Sequence, residues 1–169
     1  MTPPENGSTA ADVGPNHYGC VVPTGLLYDI EKDVWIKLDG DIAVIGMTDP
    51  AQTRCGKLVA VEFRKVGKVI KRGRGLATIE SAKWVGPVPS PLTGEVLEVN
   101  RAAFDKDILI ANRDPYGDGW LVKMRPTSLD TEQGDLIDAD TAFERYKALI
   151  EELEIRCFRC ADPPPEPLP

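Results

Sequence analysis

The 169-residue sequence is poor in the residue types on which most catalytic and metal sites depend. It contains one histidine, His17, and four widely scattered cysteines, which would all have to converge to form a metal site. It also lacks a recognisable Ser-His-Asp arrangement and a phosphate-binding loop, since Gly67, Gly73 and Gly75 have the wrong spacing for dinucleotide binding. We therefore expect no catalytic residues, no bound metal and no enzymatic turnover.

Long apolar runs and net positive charge are missing as well. No run approaches the length of a membrane span, and residues 1–19 lack the basic-then-apolar pattern of a secretory signal. The net charge of -7 argues against nucleic-acid binding and against attraction to an acidic membrane surface. These absences predict a cytoplasmic protein with no membrane insertion, whose cysteines are reduced by default.

Proline marks both ends of the chain as poor in regular structure. The start of the chain is rich in Pro, Gly, Ser and Thr, and the last residues are mostly proline. We predict a flexible lead-in over residues 1–19, one domain over 20–160 and a disordered tail over 161–169.

The body between these ends has the patterns of short strands. Apolar runs on either side of Asp39-Gly40 predict a β-hairpin. A short helix should follow, with Asp49 as its cap, Pro50 at its first position and Gly56 at its end. Recurrent Gly and Pro between short strands favour a small barrel or sandwich.

The C-terminal part changes to helical periodicity. Thr141 and Glu144 fit a capping box, which predicts the start of a helix. Apolar residues then recur at three- and four-residue spacing and would form one face: Phe143, Tyr146, Leu149, Ile150 and Leu153. Upstream, Pro89 and Pro91 cannot both lie in a central strand, so their segment is expected at a bend or an edge.

Lys83 lies between two runs of similar sequence, residues 69–79 and 88–99. A lysine in a turn is usually only solvated, so the context carries the interpretation. Small neighbours, Ser81 and Ala82, leave room for a modifying enzyme. Matched strands would give the lysine a stiff base and a mobile stem, as a carrier needs.

Further motifs occur in the same order as in a known family. They are Gly46-Met47-Thr48-Asp49 with Ala51-Gln52, Glu80-Ser81-Ala82-Lys83, Ser90-Pro91-Leu92-Thr93-Gly94-Glu95-Val96 and Asp114-Pro115-Tyr116-Gly117-Asp118-Gly119-Trp120. Over residues 22–153 the chain resembles the H-protein family of the glycine cleavage system. The resemblance implies a mainly β, lipoyl/biotinyl-type barrel-sandwich hybrid with a short helix after the first hairpin and a C-terminal amphipathic helix.

The resemblance also implies a site and a cofactor. Lys83 would carry covalently bound lipoate, added by a lipoate-protein ligase or a lipoyl transferase, with Glu80, Ser81, Ala82 and Trp84 as its context. Ala82 and Trp84 differ from the methionines that usually flank a biotinyl lysine. The chemistry would then belong to lipoate and to the partner enzymes.

Four features depart from the glycine-cleavage pattern. Asp33-Val34 replaces His-Glu before Trp35, Pro50 replaces an aromatic or imidazole residue, Trp84 follows the lysine, and segment 65–74 is basic. In these respects the chain more closely resembles lipoate-binding proteins of sulfur-oxidising prokaryotes. That resemblance implies a shuttle for oxidative sulfur metabolism, with a heterodisulfide-reductase-like complex and dihydrolipoamide dehydrogenase as partners.

Three functions therefore remain open at this point. They are a lipoyl carrier in oxidative sulfur metabolism, a lipoyl carrier of the aminomethyl group with the glycine cleavage enzymes, and a non-acylated binding or scaffold relative. Intact mass separates the last from the other two, because lipoylation adds a fixed increment.

The basic segment also has two interpretations. The simpler one is a solvated hairpin. The alternative is a cationic edge that attracts an anionic substrate or a different partner toward the arm-bearing strand. In that case, neutralising Lys71, Arg72 and Arg74 would slow loading of the arm in a salt-sensitive way.

The cysteines leave a similar choice. Cys157 and Cys160 form a Cys-x-x-Cys pair after the predicted helix, while Cys20 and Cys55 are isolated. Cys55 and Cys157 are expected to be small core or interface residues. The alternative is a redox pair that exchanges with the dithiolane, which requires a position near Lys83.

Overall fold

The computed structural model describes residues 12–160 as a mainly β domain. Its strands are β1 (Asn16–His17), β2 (Cys20–Val21), β3 (Leu27–Asp29), β4 (Val34–Asp39), β5 (Ile42–Met47), β6 (Leu58–Phe63), β7 (Val69–Ile70), β8 (Gly75–Ser81), β9 (Val85–Pro89), β10 (Gly94–Val99) and β11 (Val122–Pro126). Its helices are α1 (Asp49–Cys55), α2 (Arg101–Lys106), α3 (Ile110–Arg113), α4 (Leu129–Glu132) and α5 (Ala139–Glu152). A 3-10 turn follows α4 at Gln133–Asp135.

Two main antiparallel sheets build the domain. One contains six strands in the order β3-β4-β5-β11-β10-β7, and the other contains three in the order β6-β8-β9. Strands β1 and β2 form a small separate pair. The mainly β class, the short helix after the β4–β5 hairpin and the C-terminal helix are all as predicted.

The core divides into two apolar clusters because side chains of a strand alternate between its faces. In β4, Val34 and Ile36 join the larger cluster, which residues of both main sheets share. Trp35 points to the opposite face and joins Tyr146 and Ile150 of α5 in the second cluster. The indole of Trp35 donates a hydrogen bond of 2.9 Å to the carbonyl of Pro115. Through this second cluster, helix α5 packs against the outer face of the six-stranded sheet.

The start of α1 differs by one residue from the prediction. Thr48, rather than Asp49, caps the helix, and its hydroxyl accepts a hydrogen bond of 3.3 Å from Ala51 N–H. Asp49 lies fully buried and accepts hydrogen bonds from Val21 N–H and the guanidinium of Arg159. The predicted end at Gly56 is confirmed by a φ of 84° and a hydrogen bond to Gln52.

The start of α5 also differs from the prediction. Asp138 is the cap, with a carboxylate that accepts from Thr141 N–H at 2.8 Å, so the capping box at Thr141 was wrong. Tyr146 and Ile150 lie on the buried face as predicted, whereas Leu153 is exposed. Among residues 12–160, no helix is long and apolar enough to cross a membrane.

The expectation that all cysteines are reduced is wrong for two of them. Cys20 and Cys157 form a disulfide, although 137 residues separate them in the chain. Cys55 and Cys160 are free. The pairing attaches the segment after α5 to β2, so Cys157 and Cys160 do not form with each other the redox pair that was the alternative interpretation.

The predicted lead-in and tail fall largely outside the described residues. Within residues 12–19, strand β1 pairs with β2 and His17 Nε2 lies 3.0 Å from Glu151 Oε1. This differs from the flexible segment expected there. Residues 1–11 and the tail 161–169 lie outside the described part of the chain.

Candidate functional site

Lys83 lies at the tip of the hairpin that joins β8 to β9. The two strands pair as far as Glu80 and Val85, which leaves a short, exposed connection around the lysine. Ser81 N–H donates to the Trp84 carbonyl at 2.7 Å and closes the turn. The position of Lys83 on an exposed turn is therefore as expected from the sequence.

The hydroxyl of Ser81 fixes this turn from inside. It accepts hydrogen bonds from the backbone N–H groups of Lys83 and Trp84, at 3.2 and 3.1 Å. It also donates a hydrogen bond of 2.7 Å to the carbonyl of Cys55 at the end of α1. Ser81 is buried, whereas Glu80, Ala82 and Lys83 are exposed. A small polar residue thus joins the lysine turn to a helix of the core.

The aliphatic stem of Lys83 crosses Gly56. A Cβ atom at position 56 would lie 3.1 Å from Lys83 Cε and 3.6 Å from Nζ. Gly56 is held in turn by Asn112, whose side-chain amide donates to its carbonyl at 2.9 Å. Asn112 is buried, and its carbonyl oxygen accepts from Leu58 N–H. Nothing in the local sequence distinguished Asn112, because its partners lie more than 50 positions away.

A cavity of about 400 Å³ opens beside the lysine turn. Its walls come from α1, from the β3–β4 connection and from the β8–β9 hairpin, and include Met47, Ala51, Ile79, Trp84 and Val88. Charged residues, Glu31, Lys32, Asp33 and Arg54, line part of it. The site therefore combines an exposed amine with an adjacent, largely apolar recess.

Asp33 is the charged group of the cavity that contacts α5. Tyr146 O–H donates to its Oδ1 at 3.0 Å, and Arg54 Nη1 lies 3.4 Å from its Oδ2. Burial raises the pKa of Asp33, while the hydrogen bond from Tyr146 and the charge of Arg54 oppose that shift. In the sequence Asp33 was notable only as a departure from a motif, and its link to α5 was not foreseeable.

Cys55 lines the same cavity at the end of α1. Burial raises the pKa of its thiol, and Ser81 and Lys83 offset only part of this effect. The thiol form is therefore dominant at neutral pH, which makes Cys55 a weak nucleophile. It acts here as a small apolar wall residue, in agreement with the simpler of the two predicted roles.

Trp84 packs on its own hairpin. A Cβ atom added to Gly86 would overlap the indole ring, so the ring packs directly against that glycine. The side chain is 46% exposed and also forms a wall of the cavity. Packing on the barrel rim, the simpler prediction for Trp84, is thus observed together with a position in the wall of the cavity beside the Lys83 turn.

The basic segment is not near Lys83. It precedes β8, whereas Lys83 follows β8, so the two lie at opposite ends of one strand. Among residues 12–160 no group of three or more His, Cys, Asp and Glu side chains is arranged to bind a metal.

Comparison with known proteins agrees with this geometry. The family model for the glycine cleavage H-protein matches residues 26–149. The chain is 44% identical over 140 residues to glycine cleavage system H protein 2 of Aquifex aeolicus, covering 82% of this chain and 86% of that protein. It is 46% identical over 143 residues to a probable glycine cleavage system H protein 2 of Saccharolobus solfataricus, covering 83% and 95%.

A solved structure is similar over nearly its whole length. The crystal structure of a glycine cleavage system H protein from Mycobacterium marinum aligns with a TM-score of 0.64 and 32% identity. The alignment covers 74% of this chain and 98% of that one. This likeness supports the barrel-sandwich assignment of the two main sheets.

Proposed function

The chain belongs to the glycine cleavage H-protein family, and we propose on that premise that Lys83 is its lipoate attachment site. Members of this family carry covalently attached lipoate on a lysine and have no catalytic activity of their own. The proposed function is that of a lipoyl carrier, which moves an aminomethyl group between the glycine cleavage enzymes.

The observation that carries this proposal is the geometry of the Lys83 turn. The amine is exposed, while the backbone N–H groups of Lys83 and Trp84 donate to the buried hydroxyl of Ser81, which itself donates to the Cys55 carbonyl of α1. A ligase can therefore reach the amine, and the turn needs little reordering when the ligase docks. Gly56 leaves space for the stem to swing across α1. These residues fit a tethered arm.

Bound lipoate supplies a dithiolane that exchanges with thiols and accepts a group on one of its sulfurs. The protein supplies the base of the arm and its shelter. Lys83 would hold the lipoyl group by an amide, and Met47, Ala51 and Trp84 offer apolar cover in the adjacent cavity. The carboxylate of Asp33, fixed by Tyr146, provides a hydrogen-bond acceptor inside that recess.

The proposed partners follow from the carrier role. A lipoate-protein ligase or lipoyl transferase would load Lys83, and the glycine cleavage enzymes with dihydrolipoamide dehydrogenase would use the arm. We also propose that the protein acts in the cytoplasm. Family membership supports the ligase and the glycine cleavage enzymes as partners.

A second candidate is transport of sulfur-oxidation intermediates with a heterodisulfide-reductase-like complex. The observation in its favour is that two departures from the family pattern, Asp33 and Trp84, both line the cavity beside the arm. The comparisons support the glycine cleavage function better.

One reconstitution separates these functions. The purified protein is incubated with a lipoate-protein ligase, and its intact mass is measured beside that of Lys83→Arg and of Lys57→Arg, a nearby exposed lysine. The lipoylated protein is then supplied to the glycine-decarboxylating enzyme, and exchange of labelled CO₂ into glycine is measured. The lipoyl increment should appear in wild type and Lys57→Arg only, and exchange should require it. Lipoylation without exchange would favour the sulfur carrier, and absence of the increment would remove the carrier function.

A further inference from the structure

We propose that the protein has a second working surface, a distal basic loop that holds the acidic face of an enzyme while Lys83 delivers its cargo there. The distal basic loop consists of residues 64–74, with Lys65, Lys68, Lys71 and Arg74 as its exposed cations. This inference rests on the carrier function proposed for Lys83, since the held enzyme is one that loads or unloads the arm.

The distal basic loop is positively charged, whereas the chain as a whole is acidic. The chain carries a net charge of -7, yet it contains no Asp or Glu from residue 63 to residue 79. Two of the loop's cations have structural partners: Arg72 binds Asp135 at 2.6 Å, and Arg64 donates to the carbonyl of Gly75 at 3.2 Å. The other four are exposed and form no ion pair within residues 12–160. Their charge is available to a partner.

Three acids beside the loop are already engaged. Asp135 holds Arg72, and Glu132 accepts hydrogen bonds from the backbone and hydroxyl of Thr93. Glu95, which lies opposite Val69 in the β7–β10 pair, is 3.8 Å from the guanidinium of Arg125. These acids lie beside the loop, and none of them neutralises its four exposed cations.

The backbone of the loop is fixed rather than loose. Gly67 N–H donates to the carbonyl of Val96 at 2.8 Å, and Val96 N–H donates back to that of Lys68 at 2.9 Å. Farther along, Gly73 N–H donates to the carbonyl of Ser90 at 2.8 Å. The loop is thus attached to both neighbouring segments, and binding would order only side chains.

Exposed apolar residues alternate with the cations. Val66 and Val69 are 62% and 57% exposed, and both lie within the loop. A small anion would gain nothing from these valines, whereas a protein surface buries them as it meets the lysines. The combination therefore favours an acidic protein face over a free anion as the occupant.

The position of the loop decides what it can act on. Strand β8 separates it from Lys83 by roughly 20 Å, at about 3.3 Å per residue. The Debye length at roughly 0.1 M salt is about 10 Å, so the loop's field is screened before it reaches the amine. The loop is thus poorly placed to attract an anionic substrate to the arm, and well placed to hold an enzyme beside it, which raises the effective concentration of the arm.

The test compares two triple variants of the lipoylated protein. Lys65→Gln, Lys68→Gln and Lys71→Gln neutralise the distal basic loop, while Lys37→Gln, Lys106→Gln and Lys147→Gln remove the same charge elsewhere. Intact mass first verifies the lipoyl group on every sample. The rate of loading by the glycine-decarboxylating enzyme is then measured against carrier concentration at low and at high salt.

The loop variant should raise KM about tenfold at low salt with kcat unchanged, and the difference from wild type should shrink at high salt. The control variant should match wild type. Equal KM values for the two variants would overturn the inference, as would a wild-type KM that does not depend on salt. Failure of wild type to become lipoylated would instead overturn the carrier function itself.

Discussion

The two ends of strand β8 are both exposed turns, but they are built differently. At one end the Lys83 turn presents one exposed lysine on a backbone held by the buried hydroxyl of Ser81. At the other end the distal basic loop carries four exposed cations on a backbone held by main-chain hydrogen bonds. The first arrangement positions one reactive group, and the second presents a charged area. The two proposed functions, delivery of the cargo by Lys83 and binding of the enzyme by the distal basic loop, thus lie at opposite ends of one strand.

The largest expected effect is a loss of stability when the disulfide that supports the Lys83 end of β8 is removed. The segment after α5 is attached by the Cys20–Cys157 disulfide and contacts α1, because the Phe158 carbonyl accepts from the side chain of Gln52 at 2.8 Å. Cys20→Ser should lower the free energy of unfolding by about 4–5 kcal/mol on the chain-entropy estimate for so long a loop. Denaturant unfolding measures this loss.

Hydrogen exchange in the same variant shows which end of β8 the disulfide supports. Amides of α1 and of the Lys83 turn should exchange faster in Cys20→Ser, whereas those of the distal basic loop should change less. Cys160→Ser, which removes a free thiol, is the matched control and should leave both regions unchanged. Equal acceleration at both ends of β8 would show that the disulfide supports the domain as a whole.

The next effect concerns the hydroxyl of Ser81. Ser81→Ala leaves the N–H groups of Lys83 and Trp84 and the carbonyl of Cys55 without this partner. The free energy of unfolding should fall by about 1–3 kcal/mol, and the ligase should modify Lys83 more slowly because its turn is less fixed. Thermal unfolding and the rate of lipoylation measure the two effects. A normal lipoylation rate in the destabilised variant would show that turn rigidity is not required.

Two glycines, Gly56 beside Lys83 and Gly67 in the distal basic loop, allow a matched test of the space that the Lys83 side chain needs. Gly56 and Gly67 both have a positive φ, 84° and 93°, but only a Cβ at position 56 would meet the stem of Lys83. Gly56→Ala and Gly67→Ala should each cost on the order of 1–3 kcal/mol from backbone strain. Only Gly56→Ala should also slow lipoylation. If both variants are modified at the wild-type rate, the passage over Gly56 is not needed.

The smallest expected effect concerns Trp84, which forms a wall of the cavity beside the Lys83 turn. Trp84→Ala removes a half-exposed ring, so stability should change by less than about 1 kcal/mol. The side chain of lipoylated Lys83 should move more freely, as measured by NMR relaxation of its labelled methylene carbons. Val85→Ala, at the neighbouring exposed position, should leave this motion unchanged. Identical relaxation in both variants would remove Trp84 from the arm's surroundings.

The sequence allowed prediction of features that depend on local patterns. The β4–β5 hairpin, the end of α1 at Gly56 and the exposed turn at Lys83 follow from turn residues, a cap glycine and a short motif. The start of α1 was missed by one residue because Thr48 and Asp49 are both capping types. Asp49 instead lies buried in an ion pair with Arg159, a contact that the local sequence does not show.

The remaining features depend on long-range contacts. The Cys20–Cys157 disulfide, the link from Tyr146 to Asp33 and the support of Gly56 by Asn112 join residues at least 56 positions apart. No local pattern specifies such partners. The motif therefore identified the lysine, but the residues that hold and surround it became visible only in the folded domain.

The proposed carrier function requires that Lys83 be the attachment point of the lipoyl group. Peptide mass mapping of protein isolated from cells that contain a lipoate-protein ligase tests it most directly. The lipoyl increment should appear on the peptide containing Lys83 and on no other lysine, including the exposed Lys57, Lys65 and Lys71. An unmodified Lys83 in such cells, or the increment on another lysine, would contradict it.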